Sequence, residues 1–199
     1  NEEGSDIWRV QGAFFRLNYD YRSKYLLEVN GRYDGSSKYA KHDRWAFFPS
    51  ASVGWRISEE KFFKSLSKVV DNLKIRASIG ALGNQITDGN HSFMSIISGK
   101  VLTNYMMDGK IVNGLNIPTL PSMVTWEKVI TKDIGLDWSL FKNRLFGSFD
   151  FYVRDTKDMV RSVTLPAVLG TSGGKENIAD MRTVGWELEM TWKDRIQNV

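Results

Sequence analysis

Long runs of alternating apolar and polar side chains constrain this chain more than any other feature. In Leu73–Gly83, Leu73, Ile75, Ala77, Ile79 and Ala81 fall on one side, and Lys74, Arg76, Ser78 and Gly80 on the other. Val129–Ser139 sets Ile130, Ile134, Leu136 and Trp138 against Thr131, Asp133, Gly135 and Asp137. Leu145–Asp155 sets Leu145, Phe149, Phe151 and Val153 against Ser148, Asp150 and Arg154. Val184–Trp192 sets Val184, Trp186, Leu188, Met190 and Trp192 against Gly185, Glu187, Glu189 and Thr191. Successive side chains of an extended strand point to opposite faces, so each run is a strand with one greasy and one wet side. Trp8–Tyr21, Tyr25–Asp34 and Phe48–Ile57 read the same way. The expectation is an all-β chain of about seven long antiparallel strands, several reaching the roughly 9–11 residues that cross a bilayer when tilted.

The connections follow a pattern of their own. Tyr21–Lys24 and Leu140–Arg144 are short, whereas Asp34–Phe47, Asn84–Thr125 and Thr156–Arg182 are long and rich in Gly, Asn, Ser and Thr. Ser58–Asn72 is the longest of the short set and reads as a helical turn capped by Ser58. A soluble sandwich has no reason to gather its long loops at one end, but a membrane barrel does. Aromatic residues also fall toward the strand ends (Trp8, Tyr19, Tyr21, Tyr25, Tyr33, Trp55, Trp126, Trp138, Trp192), as interfacial girdles require. No apolar run approaches the ~20 residues of a membrane helix, and no signal peptide opens the chain.

Composition narrows the chemistry. The 199 residues contain no cysteine, which removes thiol catalysis, disulfides and zinc–thiolate sites. The 27 Lys and Arg are interspersed with 23 Asp and Glu, and no basic face or RNP-like motif suggests nucleic acid. His42 and His91 stand far apart with no third ligand and read as exposed loop residues. Asp133 and Asp137 share a strand face but lie about 13 Å apart along it, too far for a two-carboxylate hydrolase. SGGKEN, Ser172–Asn177, fails the phosphate-loop pattern.

Four stretches carry a resemblance. RYDGSSKYAKHDRWAFFPSASVGWRISEEKFF, Arg32–Phe63, is followed by NLKIRASIGALGNQ, Asn72–Gln85, then WEKVITKDIGLDWSLFKNRLFGSFDFYVRDTKDMV, Trp126–Val160, and LPAVLGTSGGKENIADMRTVGWELEM, Leu165–Met190. Together, in this order, they resemble the barrel signature of SusC/RagA-type TonB-dependent outer-membrane transporters. The matching positions include Asp34, Gly35, Ser36, Ser37, Phe48, Pro49, Ser50, Trp55, Arg56, Ser58, Glu60, Leu73, Lys74, Arg76, Gly83, Asn84 and Gln85. Thr183 departs from the pattern where Asn is usual, and the loop around residues 86–122 is not covered.

The resemblance implies a transmembrane barrel of about 22 strands filled by a plug. The chain reads as one incomplete domain over residues 1–199, an internal slice without the plug or the final strands. It implies no cofactor, no metal and no enzymatic activity. The implied partners are a SusD-like surface lipoprotein, the TonB complex acting through the plug, an oligosaccharide or peptide substrate, and outer-membrane lipid of a Gram-negative bacterium. Arg76, Asp133, Asp137, Asp150, Arg154 and Glu187 are candidates for lining the lumen or contacting the plug. Asp34, Gly35, Ser36, Ser37, Gly83 and Asn84 are expected to build turns.

A rival reading is a soluble all-β carbohydrate-binding or hydrolase domain, with the apolar strand faces packed into a sandwich core. Burial of those faces against a second sheet would favour it. One exposed apolar belt would not.

Overall fold

A computed structural model describes residues 7–85, 101–115, 122, 124–166, 168 and 173–194. Among them, the strands in chain order are β1 (Val10–Tyr21), β2 (Tyr25–Ser36), β3 (Trp45–Arg56), β4 (Val70–Asn84), β5 (Val101–Met107), β6 (Lys110–Leu115), β7 (Glu127–Leu140), β8 (Leu145–Ser162) and β9 (Lys175–Trp192). Seven form one sheet in the order β1-β2-β3-β4-β7-β8-β9, each pair antiparallel. The sheet is open, with β1 and β9 at its edges.

Cross-strand pairing carries the alternation of each strand through the whole sheet. Tyr19, Leu27, Val53, Ala77, Ile134, Phe151 and Trp186 form one continuous row. Tyr21, Tyr25, Trp55, Ile75, Leu136, Phe149 and Leu188 form the next on that face, and Leu17, Val29, Ala51, Ile79, Lys132, Val153 and Val184 a third. Lys132 is the one charged residue in these three rows. The opposite face reads Asn18, Glu28, Ser52, Ser78, Asp133, Tyr152 and Gly185. A slip of one residue anywhere would exchange the two faces, so the register is tightly specified.

The apolar face is bare. Trp186 is 67% exposed and Ile134 61%. The chain presents 15227 Å² of accessible surface, whereas a compact monomer of 22.8 kDa would present about 9600 Å². The excess refutes a self-contained sandwich, whose inner faces would be covered.

Most buried side chains gather at one end, with Phe63 and Ser139 buried at the other. The β3–β4 ladder runs from Ser50 and Gly80 to Arg56 and Lys74. It stops at Pro49, which has no N–H to offer a ladder. Beyond that point side chains join the strands. Tyr39, Phe48, Val124 and Trp126 form a buried knot, with Trp126 centred 5.1 Å from Tyr39 and 5.5 Å from Phe48. Trp126 Nε1 donates to the Arg44 carbonyl at 3.1 Å, and Arg44 Nε to the Tyr39 carbonyl at 3.2 Å.

The structure corrects several details. The expected loop Asn84–Thr125 contains the hairpin β5–β6, turned by Asp108 (φ 52°) and Gly109 (φ 72°). Left-handed φ at both central residues is the type I′ geometry that Asp-Gly favours. β8 and β9 run on to Ser162 and from Lys175, past the expected strand ends, so much of Thr156–Arg182 is strand. Their outer halves lose the apolar alternation: Asp155 and Thr156 are buried, Val160 packs against the buried knot, and Lys157 pairs with Asp180. Ser58 does not cap a helix. Two 3₁₀ turns, Ile57–Glu59 and Lys61–Ser65, begin without side-chain caps, and Ser58 Oγ instead donates to Asn72 Oδ1 at 3.3 Å.

Candidate functional site

The polar face of the sheet holds a charged cluster centred on β4. Arg76 pairs across the strands with Gly54 on one side and Gly135 on the other. The row continues to Asp150 on β8 and Glu187 on β9. Two positions further along β7 in either direction stand Asp133 and Asp137, on the same face as Gly135.

One guanidinium joins three of these acids. Arg76 Nη1 lies 3.3 Å from Asp133 Oδ1, Nε 3.1 Å from Asp137 Oδ1, and Nη2 2.5 Å from Asp150 Oδ1. The planar fork of arginine offers five donors in fixed directions, which a lysine could not reproduce. Lys74 Nζ lies 3.6 Å from the other oxygen of Asp137.

Gly135 makes the arrangement reachable. A Cβ there would lie 2.5 Å from Asp150 Oδ1 and 2.6 Å from Arg76 Cζ. Without a side chain on β7, Arg76 reaches over that strand to β8. The pair with Asp150 therefore ties strands that are not neighbours.

The cluster is acidic on balance. Arg76 and Lys74 face Asp133, Asp137 and Asp150, and the register puts Glu187 and Glu189 beside Asp150 and Ser148. Two cations against five carboxylates leave three negative charges. Arg154 stands apart, two residues beyond Tyr152 on that face, its guanidinium 5.7 Å from the Tyr152 ring centre. The structure thus brings Arg76, Asp133, Asp137 and Asp150 into contact, sets Glu187 adjacent, and leaves Arg154 outside. The cluster holds serines as well as acids, Ser78 opposite Asp133 and Ser148 opposite Asp137. It can hold charge, bind water and meet a polar partner.

The family-motif residues lie at the end where the long connections are. Asp34, Gly35 and Ser36 are the last residues of β2, and the turn itself begins at Ser37. Asp34 accepts Arg32 Nε at 2.8 Å. Ser36, 2% exposed, approaches Gln85 Oε1 at 3.3 Å and accepts the Lys38 N–H. Ser37 Oγ accepts the Arg9 N–H at 2.8 Å, while the Ser37 N–H donates to the Arg9 carbonyl. Gly83 and Asn84 end β4. A side chain at Gly83 would overlap the Phe48 ring, and Asn84 Nδ2 donates to Glu127 Oε1 at 3.4 Å. Two of them touch the buried knot: Gly83 lies against the Phe48 ring, and the Ser36 carbonyl accepts the Tyr39 N–H at 3.5 Å. Tyr39 and Trp126, its centre, are marked in the sequence only by their place in the motifs.

At the short-turn end, Glu60 gathers three donors, Tyr25 of β2, Trp55 of β3 and Lys24 of the β1–β2 turn. Tyr25 Oη donates to Oε1 at 2.8 Å, Trp55 Nε1 donates to Oε1 at 3.4 Å, and Lys24 Nζ lies 3.1 Å from Oε2. The Tyr25 hydroxyl, then Lys24, hold the Glu60 carboxyl below the usual carboxylate range. Sequence reasoning matched Glu60 to a motif without assigning it this clasp.

His42 is an exposed loop residue beside Asp43. His91 and Ser172 lie outside the described residues. Among the described residues no group of three His, Asp or Glu is arranged to hold a metal.

Comparison with known proteins agrees with this architecture. The family described as "TonB dependent receptor-like, beta-barrel" matches residues 4–198. TonB-dependent receptor P39 of Formosa agariphila is 36% identical over 196 residues, which is 97% of this chain and 18% of that protein. TonB-dependent receptor SusC of Bacteroides thetaiotaomicron is 31% identical over 184 residues, 90% of this chain and 18% of that protein. Among solved structures, the RagAB peptide transporter superposes with a TM-score of 0.79 at 27% identity, over 96% of this chain and 20% of that one. The chain therefore spans about a fifth of the length of these relatives. All are named as receptors or transporters, none as an enzyme. With its open seven-stranded antiparallel sheet and its motifs of the SusC/RagA type, the chain belongs to the TonB-dependent receptor β-barrel family.

Proposed function

We propose that this chain is part of the barrel wall of an outer-membrane importer that takes up oligomeric nutrients, glycans or peptides, in a Gram-negative bacterium. It is one partial barrel domain. Its polar face, with Arg76, Asp133, Asp137, Asp150, Arg154 and Glu187, lines an aqueous lumen and meets the plug or the passing solute. TonB supplies energy through the plug, and a SusD-like lipoprotein lids the extracellular mouth. The barrel makes and breaks no bond. It provides a rigid wall and long loops, while ligand binding shifts the equilibrium of the plug.

One observation carries this reading. A single sheet presents an exposed apolar face and a charged opposite face; at one end two of the three connections are tight turns and the third is the 3₁₀ segment 57–69, and at the other the chain between β4 and β7 carries a further hairpin. Lipid tails satisfy the first face and water the second, and closure into a barrel removes the edges that lipid would not tolerate. The name of the RagAB peptide transporter supports peptides as substrates.

The test deletes the parent gene and compares growth on defined glycans, oligopeptides and their monomers, with fractionation of the full-length parent. The expected outcome is an outer-membrane parent, loss of growth on one class of oligomer and normal growth on monomers. A cytosolic parent, or unchanged growth on every oligomer, refutes it.

A further inference from the structure

The outward face changes character at the long-loop end of β7, β8 and β9. In the row of Ile79, Val153 and Val184 stands Lys132, exposed among apolar neighbours and within electrostatic reach of Asp155. One row further, Ile130, Asp155 and Arg182 pair across the strands. Arg182 donates from Nε to Asp155 Oδ1 at 2.6 Å and from Nη2 to Oδ2 at 3.3 Å, yet its side chain is 68% exposed. Beyond it, Lys128 pairs with Lys157, and each lies within 3.6 Å of an aspartate, Asp158 and Asp180 respectively.

We infer that this outward rim, Lys132 and Arg182 with Lys157 and Lys128, holds the phosphate of an outer-leaflet lipid whose acyl chains lie on Val153, Val184 and Trp186. Charge supports it: four cations face three carboxylates here, one positive charge in excess, whereas the Arg76 cluster on the opposite face has three negative charges in excess. Asp155 takes two of the five guanidinium donors and fixes the group in place, leaving the others to a ligand. Lys132 can run its four-carbon stem along the apolar row and raise its ammonium to the headgroup level. The exposed apolar rows directly below, with Trp186 at 67% and Val184 at 57%, select a lipid over a free anion, which would use none of that surface.

The inference rests on the membrane-facing reading of the apolar rows, and the experiment separates the two. Full-length parent is extracted from outer membranes in mild detergent and offered bis-phosphorylated lipid A or its dephosphorylated form. Native mass spectrometry then measures retained lipid. Wild type retains the phosphorylated form preferentially. The double variant K132S/R182Q loses about 25-fold of that preference, at about fivefold for each cation near an anionic surface, while K142S at the short-turn end loses none. The single variant K132S, altering only an exposed side chain, loses about fivefold and serves if the double variant does not fold. Equal retention of both lipids, an unaffected double variant, or full displacement by millimolar inorganic phosphate overturns the inference. A parent absent from the outer membrane sinks the proposed function as well; a parent found there without phosphate preference sinks this inference alone.

Discussion

Replacing Gly135 with alanine tests whether the charged cluster depends on the bare stretch of β7. The added Cβ falls 2.5 Å from Asp150 Oδ1, 2.6 Å from Arg76 Cζ and 2.8 Å from Arg76 Nε, closer than non-bonded atoms approach. Either Arg76 or Asp150 must withdraw. Opening their 2.5 Å contact to about 4 Å forfeits about 2.5 kcal/mol at an effective dielectric of about 20. Arg76 is one-third exposed, and water screening reduces that loss to about 1–2 kcal/mol. The assay is guanidinium unfolding of the full-length parent in lipid vesicles, for wild type, G135A, D150A and the double variant. If the ion pair is what the methyl group displaces, G135A costs about 1–2 kcal/mol alone and much less once Asp150 is gone, a coupling of about 1 kcal/mol. Equal costs in the two backgrounds would refute the reasoning, since a purely backbone effect does not depend on Asp150.

Three further outcomes follow from the same structure. Glu60 has its pKa depressed, chiefly by the Tyr25 hydroxyl. Its clasp therefore contributes fully above the ordinary carboxylate range and is lost as pH falls through the lowered value, so the unfolding midpoint should fall more steeply from pH 6 to 3 in wild type than in E60Q, about the window in which carboxylates titrate; identical slopes would contradict the clasp. Trp126, 3% exposed at the centre of the knot, should cost about 3–5 kcal/mol when cut to alanine, and a loss below about 1 kcal/mol would show that the knot is not structural. L188R places a charge in the apolar rows and should cost about 2–4 kcal/mol for folding into bilayers. A near-neutral effect would mean that this face does not touch lipid.

How far the sequence reaches depends on what each feature needs. Strand identity and the two faces were legible, because a period of two is local: Leu73, Ile75 and Ala77 declare their side whatever β4 pairs with. The short turns were legible for the same reason. The hairpin β5–β6 carried its signal in Asp108-Gly109, a local turn sign that was read as loop. The overhanging halves of β8 and β9 carried no such signal, since what covers them is mixed, Val160 against the knot beside the ion pairs of Asp155 and Lys157. The acids of the cluster were marked as sharing a wet face, but not their meeting at Arg76, which lies 57 residues from Asp133 and 61 from Asp137 in the chain.

By itself, then, the sequence determined which segments extend, which side of each is apolar, and through its motifs which family they join. These follow from side-chain direction and nearest neighbours. Only the tertiary structure decided the register that sets Gly135 between Arg76 and Asp150, the break at Pro49 that the Tyr39–Phe48–Trp126 knot fills, and the gathering of Tyr25, Lys24 and Trp55 on Glu60. Each of these joins residues that are remote along the chain, and their distance in space is fixed by strand pairing rather than by any local pattern.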